Sequence, residues 1–247
     1  MRSIIFNALF WGLAAVFALL CYALSWLPWR TPLVACMIGF CRSVRFCLRW
    51  IAGVPIEVRG HVPTQEPVII AAKHQSYADG PLMMAITGDI NFVIGNGIEK
   101  FPLINRIVRE AGATMVNTQG NTSAPGALEA AIARSHGEDR PILIYPEGGL
   151  AAIGETKRYR KGVHKIYETL GRTVVPAATN LGLRWNQEDW HKTPGPAVIE
   201  FLEPIPTGLP RDEFMQRLQT SVESATRALE AEGVAATGDQ PAEEMKS

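Results

Sequence analysis

His74 and Asp79 stand five positions apart in "KHQSYADG", Lys73 to Gly80, directly after the uncharged run "VIIAA". An apolar run of this length reads as a strand, and the polar stretch reads as its exit into a helix. Open α/β sheets place ligands at that carboxyl edge. A histidine there can take a proton near neutral pH, and a carboxylate on its other ring nitrogen fixes the tautomer and stabilises the imidazolium. The spacing lets the chain turn and bring Asp79 back to His74. It is also a spacing that ordinary loops contain, so by itself it leaves a catalytic pair and a polar turn both open.

Nothing nearby completes a nucleophilic triad. There is no G-x-S-x-G elbow, Ser76 is too close in the chain to His74, and the four cysteines fall at positions 21, 36, 41 and 47, in the apolar N-terminal region. A base without a protein nucleophile points to a substrate that brings its own, such as a hydroxyl. His61, His136, His164 and His191 lack zinc-type spacing, which predicts no metal site.

A second stretch, "ILIYPEGGL", also runs from a strand into a turn. Glu147 would sit at the same sheet edge as His74, with Gly148 and Gly149 either making the turn or letting a ligand approach the backbone. A third, "KRYRK", supplies Lys157, Arg158, Arg160 and Lys161 a short loop later. It is a solvated charge run or a cradle for a phosphate or an acidic carrier.

These residues need a scaffold, and the pattern of the 247-residue chain supplies one. From Val54 onward, short apolar runs alternate with helical stretches. Expected strands are Ile56–Arg59, Val68–Ala72, Asn91–Ile94, Ile142–Tyr145, Thr173–Ala177 and Ala197–Phe201. Expected helices are Gly80–Thr87, Pro102–Ala111, Pro125–Ser135, Val163–Leu170 and Arg211–Glu230, the last with Phe214, Leu218, Val222, Ala225 and Leu229 on one stripe. The alternation predicts an α/β domain over 54–230 with a largely parallel or mixed sheet. Residues 231–247 are polar and aperiodic and read as a disordered tail.

Residues 1–53 are different. "SIIFNALFWGLAAVFALLCYALSWLPW", Ser3 to Trp29, carries no charge and exceeds the roughly 20 residues a bilayer core requires. Trp26 and Trp29 suit its interface. Arg2 and "YALS" leave a cleaved signal peptide as the competing reading. In the next segment Arg42, Arg45 and Arg49 share one helical face, with Phe40, Val44, Cys47, Leu48 and Ile51 largely opposite. That pattern predicts a helix whose apolar face lies on an anionic membrane surface. The alternative is a helix packed on the domain. The formal net charge is zero, which argues against a nucleic-acid partner.

Taken together, "KHQSYAD", "FVIGNGIEKFPLINRIVREAGATMV", "YPEGG" and "VVPAATNLG" resemble, in order and spacing, the four blocks of the lysophosphatidic acid acyltransferase family, glycerolipid acyltransferases with an H-x-x-x-x-D box. The resemblance covers about Val54 to Phe201. It implies a glycerol-3-phosphate acyltransferase-like fold: a mixed central sheet flanked by helices, with an N-terminal helical motif embedded in the membrane. It implies transfer of an acyl group from acyl-carrier protein or coenzyme A, a co-substrate rather than a cofactor, to a lysolipid hydroxyl. His74 would be the base, Asp79 its orienter, and Lys100 the lysine of the second block. It further implies membrane lipid as partner and the inner membrane as location, with the catalytic domain facing the cytoplasm. Two departures stand out. Gly149 and Leu150 replace the usual Thr-Arg after P-E-G, and the second block runs into Val116, Asn117 and Thr118 where an arginine is usual. Both arginines are linked in the family to the acceptor's phosphate. The basic run at 157–161 replaces them, or the acceptor is a lyso-aminolipid such as lyso-ornithine lipid. A membrane-associated thioesterase and a non-catalytic adaptor are the readings from other classes.

Overall fold

The computed structural model describes residues 1–116, 137–186 and 190–236. The expected helix at Pro125–Ser135 and the end of the tail lie outside these residues.

Seven strands form one sheet: β1 (Ile56–Arg59), β2 (Ile69–Ala72), β3 (Asn91–Gly95), β4 (Thr114–Val116), β5 (Ile142–Ile144), β6 (Val174–Thr179) and β7 (Ala197–Phe201). Their spatial order is β1-β7-β6-β2-β5-β3-β4. Among the described strand pairings β6–β7 alone is antiparallel, so the sheet is mixed. β4 was not expected: three residues after the turn at Gly112 are too few to show a period. β2 is central, pairs with β5 and β6, and is buried throughout. A strand covered on both faces reads as a continuous apolar run, as "IIAA" does.

Alternate residues of that run feed two cores. Ile70 and Ala72 join Leu143, Val175 and Ile199 on one face, under α3 (Asp79–Thr87) and α4 (Pro102–Glu110). Ile69 and Ala71 join Ile142, Ile144 and Val174 on the other, under α5 (Gly162–Leu170) and α6 (Arg211–Ala235). α6 packs through the expected stripe: Phe214, Leu218 and Val222 are fully buried, and the Phe214 ring stacks on Tyr167 at 4.1 Å. It continues past the expected end at Glu230, so the tail cannot begin at residue 231.

The N-terminal residues form a hairpin of α1 (Arg2–Leu24) and α2 (Arg30–Cys47), extended by a π turn at Leu48–Ala52. Pro28 lies in the turn, and Pro32 falls in the first turn of α2, where backbone N–H groups lack helical partners anyway. The hairpin is not a separate body. Phe6, Leu33, Val34, Val44 and Leu48 share the core under α3 and α4. This corrects the expected orientation of α2. Its apolar face, with Val44, Cys47 and Leu48, is buried against the protein, while Arg42 and Arg49 face outward beside exposed Phe46 and Trp50. The outward apolar surface belongs mainly to α1 and the hairpin turn: Ile4, Trp11, Val16, Leu19, Trp26 and Trp29. Both N-terminal helices are long and apolar enough to cross a membrane.

Both ends of α1 are fastened to the α/β domain. At the start, Asn7 Nδ2 donates to Trp190 O at 2.9 Å, and the Lys192 N–H donates to Ser3 Oγ at 3.1 Å. At the end, Arg106 donates to Ser25 Oγ and Ser25 O, each at 3.0 Å, and its guanidinium lies 3.7 Å from the Trp26 ring centroid. Arg30, opening α2, makes a two-pronged pair with Asp89 at 2.5 and 2.6 Å.

Truncating the two kinds of aromatic should separate them. Phe214→Ala should lower unfolding free energy by about 3–5 kcal/mol. Trp29→Ala, on the outward face, should change it by about 0.5 kcal/mol or less. Denaturant titration of detergent-solubilised protein measures both.

Candidate active site

β2 delivers Lys73 and His74 to the carboxyl edge of the sheet, and β5, its neighbour, delivers Tyr145 and Glu147 to the same edge. The chain after β2 turns at once into α3, whose first residue is Asp79. Asp79 Oδ2 accepts from the Gln75 N–H at 2.7 Å, from the Ser76 N–H at 2.8 Å and from His74 Nδ1 at 2.8 Å. The carboxylate thus builds the turn and orients the ring together. Because a carboxylate only accepts, Nδ1 carries the proton in the neutral imidazole, which leaves the lone pair on Nε2. Asp79 is buried, whereas the His74 side chain is 23% exposed. The pair can accept a proton from a hydroxyl or a water through Nε2. Ser76 is fully buried, and its Oγ accepts from the Ala78 N–H, which rules it out as an accessible nucleophile.

Tyr145 forms one wall. Its ring stacks on the imidazole with centroids 3.9 Å apart and planes within 15°. Burial, and then the nearby Asp79 carboxylate, push the phenol well above its ordinary value, so it stays protonated.

Glu147 reaches the same sheet edge as His74, as expected, but its side chain turns inward from that edge. Its side chain is fully buried. Oε1 accepts from Lys73 Nζ at 2.7 Å, and Oε2 accepts from the His74 N–H at 3.0 Å. Burial pushes its carboxyl above the usual range, opposed by Lys73. It is a strut beneath the histidine. Lys73 is equally buried and also donates to Glu155 O at 2.9 Å and to both oxygens of Glu223 at 3.0 and 3.1 Å.

The remaining candidates scatter. Gly148 and Gly149 are exposed at the turn. Gly148 has φ +70°, and a Cβ there would stand 2.2 Å from Arg160 Nε, so the Arg160 side chain lies directly over it. The Arg160 N–H donates to Pro146 O at 2.8 Å, which fixes the return of the chain to this turn. Lys157 is committed to Leu150 O and lies 3.6 Å from Glu155. Arg158 is exposed. Lys161 directly precedes α5 and lines an open depression of about 890 Å³ with His164, Lys165 and Arg211. Lys100 ends a short 3-10 turn between β3 and α4, is exposed, and is not joined by any described contact to the His74 loop. Among the described residues no carboxylate pairs with Arg158, Arg160, Lys161 or Lys100, and none form a cluster of three or more side chains able to hold a metal.

Sequence reasoning missed Lys73, Tyr145, Glu223 and Glu230. A lysine ending an apolar strand was the one local signal; the partners on α6 lie about 150 residues away and leave none.

The mixed sheet carries a carboxylate-oriented histidine at its carboxyl edge, an arrangement able to take a proton from a hydroxyl or a water. The profile of the acyltransferase family matches residues 55–180, just over half of the chain, and the chain belongs to that family. It is 31% identical over 140 residues to the 1-acyl-sn-glycerol-3-phosphate acyltransferase of Borreliella burgdorferi, covering 54% of this chain and 55% of that protein. It is 25% identical over 201 residues to the enzyme of the same name from Pseudomonas aeruginosa, covering 78% and 76%. The chain therefore spans only about half of the first of these relatives. The fold matches the crystal structure of the 1-acyl-sn-glycerophosphate acyltransferase of Thermotoga maritima with a TM-score of 0.73 at 20% identity, over 94% of this chain and 98% of that one.

Removing the buried ammonium should be costly. Lys73→Met should destabilise by about 3–5 kcal/mol, because Glu147 and Glu223 would be left facing one another without a cation. Adding Glu223→Leu should recover part of that loss, a non-additivity that a double-mutant cycle of unfolding free energies measures.

Proposed function

We propose that the chain is a membrane-bound lysolipid O-acyltransferase that converts 1-acylglycerol-3-phosphate to phosphatidic acid, with acyl-carrier protein or coenzyme A thioester as donor. The observation that carries it is the bond of His74 Nδ1 to Asp79 Oδ2, which leaves Nε2 as base, while Ser76 beside it is buried and turned to the Ala78 N–H. The lysolipid hydroxyl gives its proton to Nε2 as its oxygen attacks the thioester carbonyl carbon. The C–S bond then breaks, and the leaving thiolate takes the proton from the imidazolium. The Tyr145 ring face steadies the cation in between.

The acceptor reading rests on the relatives' names and on Arg160. This chain lacks the Thr-Arg that usually follows P-E-G, but Arg160 lies over Gly148 at that turn. A guanidinium without a protein carboxylate suits a phosphate. Lys157, Arg158, Lys161 and Lys100 are secondary, and a zwitterionic lyso-aminolipid is the other acceptor.

The hairpin is best read as lying in one leaflet. A helix of the length of α1 is about 34 Å long, and both of its ends bind the same domain. That keeps the catalytic domain on one side, the cytoplasmic face of the inner membrane, where the thioester donors are made.

His74→Ala should lower acyl transfer by about 10²–10⁴-fold, the usual worth of general-base assistance. Near wild-type transfer in that variant would overturn the assignment, and thioester consumption without acylated lipid would select a thioesterase. Given one acyl thioester with lysophosphatidate and lyso-ornithine lipid together, the protein should yield phosphatidate by mass. Arg160→Ala and Gly148→Ala should each raise the KM for lysophosphatidate by about tenfold or more, a loss of one charge-assisted bond of roughly 1.5–3 kcal/mol. An unchanged KM in both would remove Arg160 from the acceptor site.

A further inference from the structure

We infer that Glu223 and Glu230, on the C-terminal helix α6 and beyond the residues matched by the family profile, are positioning residues for His74. They stand seven residues apart, which puts them on one face about 10 Å apart along the axis. Each holds one neighbour of the histidine. Both Glu223 oxygens accept from Lys73 Nζ at 3.0 and 3.1 Å, and Glu230 Oε1 accepts from Gln75 Nε2 at 2.6 Å. The helix therefore grips the chain immediately before and immediately after His74.

The same carboxylates also hold the segment that covers the histidine's backbone. Glu223 accepts from Thr156 Oγ1 and from Tyr159 OH, each at 3.0 Å. Glu230 Oε1 accepts from the Gly154 N–H at 3.3 Å. That segment in turn donates from the Ala151 N–H to His74 O at 2.7 Å. Attaching α6 to the sheet does not require these groups, because Phe214, Leu218, Val222 and Leu229 already supply an apolar stripe. Both carboxylates are nonetheless buried, and a buried charge is costly unless its bonds are well made. Their bonds converge on residues 73, 75 and 154–159. Geometry at the base, which a shift of about 1 Å can degrade by about 10²-fold in rate, is what the arrangement controls.

The inference rests on His74 being the base of the proposed reaction, and the test separates the two. Glu223→Leu leaves Lys73 with Glu147, so the buried charge stays balanced and the variant should fold. The full chain in mixed micelles is assayed with an acyl-coenzyme A and 1-acylglycerol-3-phosphate, varying each. In Glu223→Leu/Glu230→Leu, kcat should fall on the order of 10²-fold while both KM values stay within about twofold, the pattern of an interaction felt in the transition state alone. Hydrogen exchange of the peptide over residues 73–79 should quicken, with α5 unchanged. Glu230→Gln keeps an acceptor for Gln75 and should retain kcat within about threefold.

Two results would overturn the inference while leaving the reaction in place, His74→Ala being inactive in both. One is a double variant whose kcat matches the parent. The other is a kcat loss that only tracks lost folded protein, with exchange quickened throughout. An active His74→Ala variant would instead remove the proposed reaction and this inference with it.

Discussion

The buried ammonium of Lys73 is the constraint on which the rest of the site depends. Its side chain has no solvent contact, and such a charge persists only where its donors are filled. Filling them brings three separate pieces of chain to the end of β2: Glu147 after β5, the Glu155 carbonyl in the following loop, and Glu223 on α6. Each piece is thereby drawn to one point at the carboxyl edge of the sheet. His74 is the next residue, and its own N–H is bonded to the second oxygen of Glu147. The histidine is placed by a polar knot below it, and its ring is then aimed by Asp79 and faced by Tyr145.

This explains what could and could not be read from the sequence. The His–Asp pair was legible because its geometry is local. A strand exit, a tight turn and a helix start all fall within "KHQSYADG", and Asp79 serves the turn and the ring at once. The central strands β2, β5 and β6 were legible because covered strands are apolar on both faces. The role of Glu147 was not, because a carboxylate at a sheet edge can point outward to a ligand or inward to a cation. Only Lys73, which arrives from another strand, decides that it points inward. Glu223 and Glu230 lay on a helix whose apolar stripe accounted for its pattern, and nothing local distinguishes a buried carboxylate from a solvated one.

The basic run at 157–161 shows the same limit. Four cations in five residues share a composition but not a location. Lys157 turns back to its own loop, Tyr159 goes into the core, Arg160 covers Gly148, and Lys161 opens α5. A glycine without a Cβ in the way and a backbone bond to Pro146, not charge density, bring Arg160 back to the turn.

The N-terminal hairpin poses the opposite problem, a shortage of polar information. α1 is apolar around most of its circumference, with an inner stripe in the core and an outer surface of large apolar side chains. Apolar contact is non-directional, so such a helix could rotate or slide on the domain at little cost. The few polar side chains near its ends remove that freedom. Ser3 and Asn7 fix one end to the segment at 190–192, Ser25 fixes the other to Arg106, and Arg30 with Asp89 fixes the start of α2. Bonds at two points about 34 Å apart set both the axial position and the rotation of α1. They decide which side of an almost uniformly apolar helix is core and which side is left for lipid. The expectation for α2 failed because an amphipathic pattern identifies the two faces of a helix, and only the packing of α2 on α1 and on the core under α3 determines which of them is already covered.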